Sequence, residues 1–338
     1  MGRAVAISGQ IDTAILSAEM APFEDRPDRR GQPGRLHPDR SAVITRRITA
    51  LALAFGVVIA LGKAWLYAHT GSVGVLSSLV HSAVDIFAAS ASFIAVRIAA
   101  RTPTHHYRFG FGKAESFAAV LQVCLIGLAA LHLFGAAFGE LDHAHEIEGS
   151  GTAILVMGLF VLMTVWLLIA QTWAIRATGS IAVRGDRAHY LADAFGNIFV
   201  LAGLTIATVT GAHWADAVVG LIMAAWLLYT GWRVAKLAWD QLMDRELRDD
   251  ERQDIIDRVM TDPRVRSVTN LRSRAAGPNL HMQMRLDLDP ELSLSDAHDI
   301  LIDAEARLMA IYPSADILIH PHPAGCAQAH GNIRFYAD

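Results

Sequence analysis

The sequence predicts a helical membrane bundle of six spans followed by a small α/β domain, and three observations carry that prediction. Apolar residues make up 53% of the 338 and charged residues 18%, and the charge is segregated along the chain. Six stretches, 48–69, 72–99, 116–138, 152–175, 190–212 and 214–239, stay apolar over about 20 residues or more, enough to cross ~30 Å of hydrocarbon at ~1.5 Å per residue. After Asp244 the pattern turns globular, with short alternating and helix-periodic runs. A large soluble helical protein is the alternative, and six such stretches with turn-like gaps argue against it.

Residues 1–42 are polar and rich in Arg, Pro and Asp ("DRPDRRGQPGRLHPDR"), with neither the apolar core nor the cleavage site of a signal peptide, and read as a disordered tail. The spans alternate in the charge of their gaps. Arg97, Arg101, Arg108 and Lys113 follow the second, Arg176, Arg184 and Arg187 precede the fifth, and Arg245 and Arg248 follow the sixth. Gaps 70–75, 139–150 (acidic "GELDHAHEIEGS") and 209–213 carry no Lys or Arg. Positive loops stay inside, so both termini are expected in the cytoplasm of a multi-pass protein of the inner (plasma) membrane. Cys124 within a span and Cys326 near the end suggest neither a disulfide framework nor a zinc knuckle.

In the tail, "RDDERQDIIDRVMTDP" is helix-periodic and stops near Pro263. "SVTNLRSRAAG" and "NLHMQMRLDLD" alternate like strands around Gly277-Pro278. "SLSDAHDILIDAEARLMAIYP" is amphipathic with Ser293 or Ser295 as N-cap, and "ADILIHPHP" is a last strand. The order α-β-β-α-β fits an open sandwich with helices on one face. No G-x-x-x-x-G-K-[ST] nucleotide loop occurs, and no nucleic-acid partner is expected. The chain thus divides into a polar tail (1–42), a six-span domain (43–240), a cytoplasmic domain (241–325) and a C-terminal tail (326–338).

Two polar pairs interrupt the apolar spans. "SLVHSAVDIF" places His81 and Asp85 four apart, on one helical face, and "RAHYLADAFGN" repeats the spacing with His189 and Asp193. An ionisable residue at membrane depth is by default a functional one. One such pair could simply join helices by a hydrogen bond; the identical second pair points further. Two facing helices would bring together two imidazoles and two carboxylates, an N2O2 set suited to tetrahedral Zn2+. The carboxylates cancel the charge of a divalent ion, and protons can replace that charge when the metal leaves, which gives a physical basis for metal–proton exchange. Hydropathy alone puts His189 near the cytoplasmic start of its span. Either the helix begins earlier, near Ser180, with a polar face in a wet cavity, or the site is shallow. Asn197, one turn further on that face, reads as a helix–helix hydrogen bond.

Six spans, paired x-x-x-Asp motifs in spans two and five, "FGFGKAES" opening span three, and the small α/β tail together resemble the cation diffusion facilitators. "TGSVGVLSSLVHSAVD", "VRGDRAHYLAD", "DRELRDDERQDII" and "ILIHPHP" are most similar to the bacterial zinc and iron efflux branch, and the resemblance covers residues 43–325. It implies a divalent-metal/proton antiporter, a homodimer, with a ferredoxin-like cytoplasmic domain. It carries over to His81, Asp85, His189 and Asp193 as transport site. His at 81, where broad-specificity bacterial members commonly have Asp, is the zinc-selective pattern and argues against manganese. Zn2+ is the expected cargo and regulatory ion, with Cd2+, Fe2+ or Co2+ as alternative cargo.

The resemblance also implies a cytoplasmic metal site between subunits at His298, His320 and His322, reduced because Thr269 and Arg285 stand where further histidines can occur. It implies that Lys113 and Asp244 pair at the membrane–cytoplasm junction and couple tail to spans. In the loop "YRFGFGK", Tyr107 and Phe111 replace family ligands, and His105 and His106 lie out of register, which disfavours a loop metal site. Lys63 reads as a snorkelling charge at the outer end of span one. "DHAHEIE" reads as a solvated acidic loop, and lone His281 as a strand residue. An intramembrane metalloenzyme would need an open ligand position and a general base, as in H-E-x-x-H, and that motif is absent. A membrane-anchored metal sensor would have no use for two buried His/Asp pairs. The expectation is a transporter, not an enzyme.

Overall fold

The structure, a computed structural model, describes residues 32–70, 73–140, 151–210 and 214–326. Most of the N-terminal tail, the "DHAHEIE" loop and residues beyond 326 lie outside them. Among the described residues, six long helices come first: α1 (Pro38–Thr70), α2 (Val73–Ala99), α3 (Ala114–Glu140), α4 (Gly151–Thr178), α5 (Ile181–Thr210) and α6 (Trp214–Leu242). The tail follows as α7 (Asp249–Val259), β1 (Ser267–Ala276), β2 (Asn279–Leu288), α8 (Leu294–Met309) and β3 (Ala315–Pro323). Three helical stretches of the described residues, Pro38–His69, Leu79–Ala99 and Ala114–Gly135, are long and apolar enough to cross a membrane.

The helices form one compact unit, and the chain from Glu246 onward supplies most of a second. Among the described residues of the helical unit, α5 takes part in four hydrophobic clusters. Ile181, Ala188 and Ala192 pack with Ala119 and Ile126 of α3 and Leu227 and Val234 of α6. Ala182 packs with Ala95 and Val96 of α2 and Ala118 of α3. Val183 and Tyr190 pack with α1 and α4 through Ile48, Ala52, Phe55, Leu167 and Ala174. Small residues let the neighbours close in. A Cβ on Gly185 would stand 3.2 Å from the Ala119 Cα, so glycine sets the α3–α5 approach. A helix walled by other helices can carry polar side chains that a lipid-facing one cannot.

The start of α5 places His189 along its helix. Gly179, at φ 70°, closes α4 in the left-handed region, and Ser180 caps α5 by accepting from the Val183 N–H at 3.3 Å. The helix therefore begins at Ile181, and His189 lies more than two turns inside it.

In the tail unit β2 is central in the order β1-β2-β3. Leu280, Met282, Met284, Leu286 and Leu288 alternate inward along it, the period of a strand, and His281 and Arg285 on its other face are buried too. Ile300, Ala304 and Leu308 of α8 and Ile255 and Val259 of α7 supply the buried apolar stripes of the helices. Ser293 is the cap of α8, accepting from the Asp296 N–H at 3.1 Å. His281 meets Asp316 and His322 meets Asp287, the same offset along both strands, so β2 and β3 run parallel, joined across α8. Asp262, in the turn after α7, accepts from the Arg264 guanidinium at 2.7 Å; that bond holds its carboxyl down to about 2.

Candidate metal centre

α2 and α5 bring their repeated pairs together. His189 Nε2 lies 3.0 Å from Asp85 Oδ1 and 3.7 Å from Asp193 Oδ2. His81 Nε2 lies 3.6 Å from Asp193 Oδ1 and 3.8 Å from Asp85 Oδ1. The four side chains close a ring in which each imidazole faces both carboxylates. Ligand atoms of His81, Asp85 and Asp193 all fall within 4.8 Å of one another; His189 stands outside that group of three and meets it through Asp85 and Asp193, its side chain only 4% exposed. His81, 52% exposed, is the open side of the ring. The side chain of Asn197 lies outside the described residues.

The surroundings fix the rotation of α5. The Tyr190 hydroxyl donates to the Ala52 carbonyl at 2.9 Å, and its ring meets Phe55 edge-on with centroids 5.8 Å apart. One turn before His189, buried Asp186 accepts from Gln171 Nε2 at 2.7 Å and Gln122 Nε2 at 3.4 Å. Gln122 also reaches the Ala88 carbonyl and Ser92 Oγ, so one acid ties α3 and α4 to α5 and, through Gln122, to α2. Glu115, equally buried, accepts from Ser180 Oγ at 2.5 Å. Sequence reasoning passed over both acids. Asp186 stands three residues before His189, a helical spacing that marks it as part of the same face.

Lys63 corrects a reading. Instead of reaching outward, its Nζ donates inward to buried Ser82 Oγ at 2.7 Å, beside His81.

At the end of α6, Lys113 Nζ pairs with Asp244 Oδ1 at 2.9 Å and donates to the Leu242 carbonyl at 3.1 Å. Asp244 adopts φ 55°, a left-handed conformation that Asp tolerates better than most side chains. In the 102–113 loop His105 and His106 are exposed, Thr104 and Tyr107 exchange backbone hydrogen bonds, and the Tyr107 and Phe111 rings meet tilted at 45° with centroids 4.9 Å apart.

The tail histidines do not gather within one chain. His298 on α8 and His320 on β3 are exposed, whereas His322 Nδ1 lies 3.1 Å from Asp287 and His281 Nδ1 lies 3.1 Å from Asp316. Arg285 is buried on β2. Among the described residues, the one group of three or more potential metal ligands is the membrane one.

Comparison with known proteins places these features in context. Residues 49–243 match the family model of the cation efflux transmembrane domain, and residues 247–324 match that of the cation efflux protein cytoplasmic domain. The cation-efflux pump FieF of Serratia proteamaculans is 36% identical over 282 residues, 83% of this chain and 94% of that protein. FieF of Escherichia coli O1:K1 / APEC is 33% identical over 288 residues, covering 85% and 96% respectively. Among solved structures, a nickel form of the MamM CTD is 23% identical, with TM-score 0.22, covering 22% of this chain and 98% of that one.

Proposed function

Because the chain belongs to the cation diffusion facilitator family of cation-efflux transporters, which are not enzymes, we propose that it exports a divalent metal, Zn2+ foremost, in exchange for protons. His81, Asp85, His189 and Asp193 form the transport site in this reading. The protein works as a homodimer of six-span subunits in the inner membrane, with both termini cytoplasmic.

One observation carries the reading. Of the four imidazole–carboxylate separations, 3.0, 3.6, 3.7 and 3.8 Å, only the shortest is a hydrogen bond. A polar clamp between helices would be built from hydrogen bonds. Two ligands that share a tetrahedral zinc, each about 2.0–2.1 Å from it, stand about 3.3–3.4 Å apart. The measured separations bracket that edge. Two carboxylates and two imidazoles also converge with too few N–H groups to satisfy all four contacts, whereas a central cation serves them at once.

Export then follows from charge. In the inward-open state a cytoplasmic ion binds to the ring and displaces protons from the imidazoles. When the helices re-open outward, protons return and the metal leaves. Asp186 and its two glutamines hold α5 in register while this happens. Lys113 and Asp244 join α3 to the end of α6 and couple the spans to the tail. In this reading His298, His320 and His322 are ligands completed by the partner subunit; His298 and His320 are exposed in one chain, and His322 would have to leave Asp287.

The test is zinc uptake into proteoliposomes under an imposed pH gradient. Uptake that follows the gradient and collapses with an ionophore supports exchange; uptake that ignores the gradient refutes the proton half. Fe2+, Cd2+ and Co2+ run in parallel rank the alternatives.

A further inference from the structure

Lys63 is a charge that the ring of His81, Asp85, His189 and Asp193 does not itself use. It stands in the apolar run of α1, where a lysine with access to the surface would extend toward headgroups. Its ammonium instead donates across to Ser82 Oγ on α2 at 2.7 Å, and Ser82 is 1% exposed. Ser82 follows His81 and precedes Asp85 by three residues, so it shares a helical face with Asp85. The ammonium is thereby anchored at a residue next to His81 in sequence and on the helical face that carries Asp85.

The charge balance changes once this cation is counted. Two carboxylates and a divalent ion sum to zero; with Lys63 the loaded site is +1. Without metal, the ammonium offsets one of the two carboxylates. A fixed cation beside a divalent ion raises the energy of the loaded state and lowers that of the unloaded one. Conduction through any site requires binding weak enough to leave. We propose that Lys63 is a built-in counter-charge, positioned by Ser82, that holds the affinity of the metal site down so that the ion is released. This inference rests on the reading of His81, Asp85, His189 and Asp193 as the metal site.

The experiment is a Zn2+ titration of the full-length protein in detergent, followed by transport. The step analysed is the binding event that Asp85→Ala removes. Lys63→Gln keeps a donor for Ser82 and deletes the charge, Lys63→Met deletes both, and Lys63→Arg keeps the charge. The expected result is binding about tenfold tighter in Lys63→Gln and Lys63→Met and within about threefold of wild type in Lys63→Arg. In transport, KM and kcat should fall together in the neutral variants, since tighter binding slows release. A merely structural lysine would lower kcat without tightening binding. Equal or weaker affinity in Lys63→Gln, at unchanged thermal stability, overturns the counter-charge. If no binding step depends on Asp85, the metal-site reading itself fails, and that outcome is distinct.

Discussion

Among the described residues, histidines and carboxylates meet both in the membrane bundle and in the tail, and these two meetings differ in kind. In the bundle, the imidazoles of His81 and His189 each face the carboxylates of both Asp85 and Asp193, with separations mostly too long for hydrogen bonds. In the tail, His281–Asp316 and His322–Asp287 are cross-strand pairs, each at 3.1 Å, while His298 and His320 face outward. The first draws all four groups from one chain and leaves three of its four contacts longer than a hydrogen bond. The second pairs one histidine with one aspartate at a time, each within hydrogen-bond distance. The difference teaches that a convergence of acceptors, more than a count of histidines, marks where an ion binds.

The largest effect should come from breaking the ring. Asp85→Ala or Asp193→Ala removes a charged ligand. Because even outer-shell partners of metal ligands cost about 10–100-fold in affinity or activity, transport should fall by more than about a hundredfold, measured as initial zinc uptake in proteoliposomes. Wild-type rates in both variants would mean that the ring is only a helix clamp.

A smaller effect concerns which ion fits. His81→Asp changes two nitrogens and two carboxylates to one and three, hardens the set and lets bidentate carboxylates expand the coordination. The ratio of zinc to cadmium initial rates at matched pH gradient should drop by about threefold or more while transport persists. An active variant with an unchanged ratio would remove His81 from selectivity.

In the tail, replacing His320 and His322 together should leave the transport site intact. Uptake at saturating zinc should stay within about threefold of wild type, and the loss should fall on zinc-dependent stabilisation of the intact protein, read from its thermal transition. Zinc that stabilises the double variant as much as wild type would show that these histidines hold no regulatory ion.

The smallest effect involves no metal. The Asp262 carboxyl is depressed from 3.8 to about 2 by its bond to Arg264, with Arg307 nearby. A folded-state pKa below the unfolded one means stability that is present above about pH 4 and lost as pH falls toward 2. Asp262→Asn should therefore cost the tail about 1–2 kcal/mol at pH 7, discounted for the solvated arginine, and converge with wild type near pH 2. A cost that is the same at both pH values would assign the effect to packing.

Much of this could be read from the residues, and the exceptions have physical reasons. The paired spacing in α2 and α5 was visible because helical periodicity puts i and i+4 on one face, and the tail order was visible because its strands alternate and its turns carry Gly-Pro. Lys63 was not legible as a neighbour of the ring: sequence shows its place along α1 but not that Ser82, 19 residues on, lies within reach. Asp186 and Glu115 look like interfacial charges by hydropathy, and only the packing of α5 against α1, α2, α3, α4 and α6 shows them buried. The partners of His281 and His322 depend on the register of a parallel strand pair joined across α8, which no local pattern encodes.

The central claim is that the ring binds a divalent ion directly. X-ray absorption at the zinc edge measures it most directly, on full-length protein carrying Ala at 298, 320 and 322 and loaded with one zinc per chain. The account predicts four nitrogen or oxygen ligands at about 2.0 Å with the scattering signature of two imidazoles, and loss of that signature in the same protein with Asp85→Ala. A shell without imidazole, or one that Asp85→Ala leaves unchanged, would contradict it.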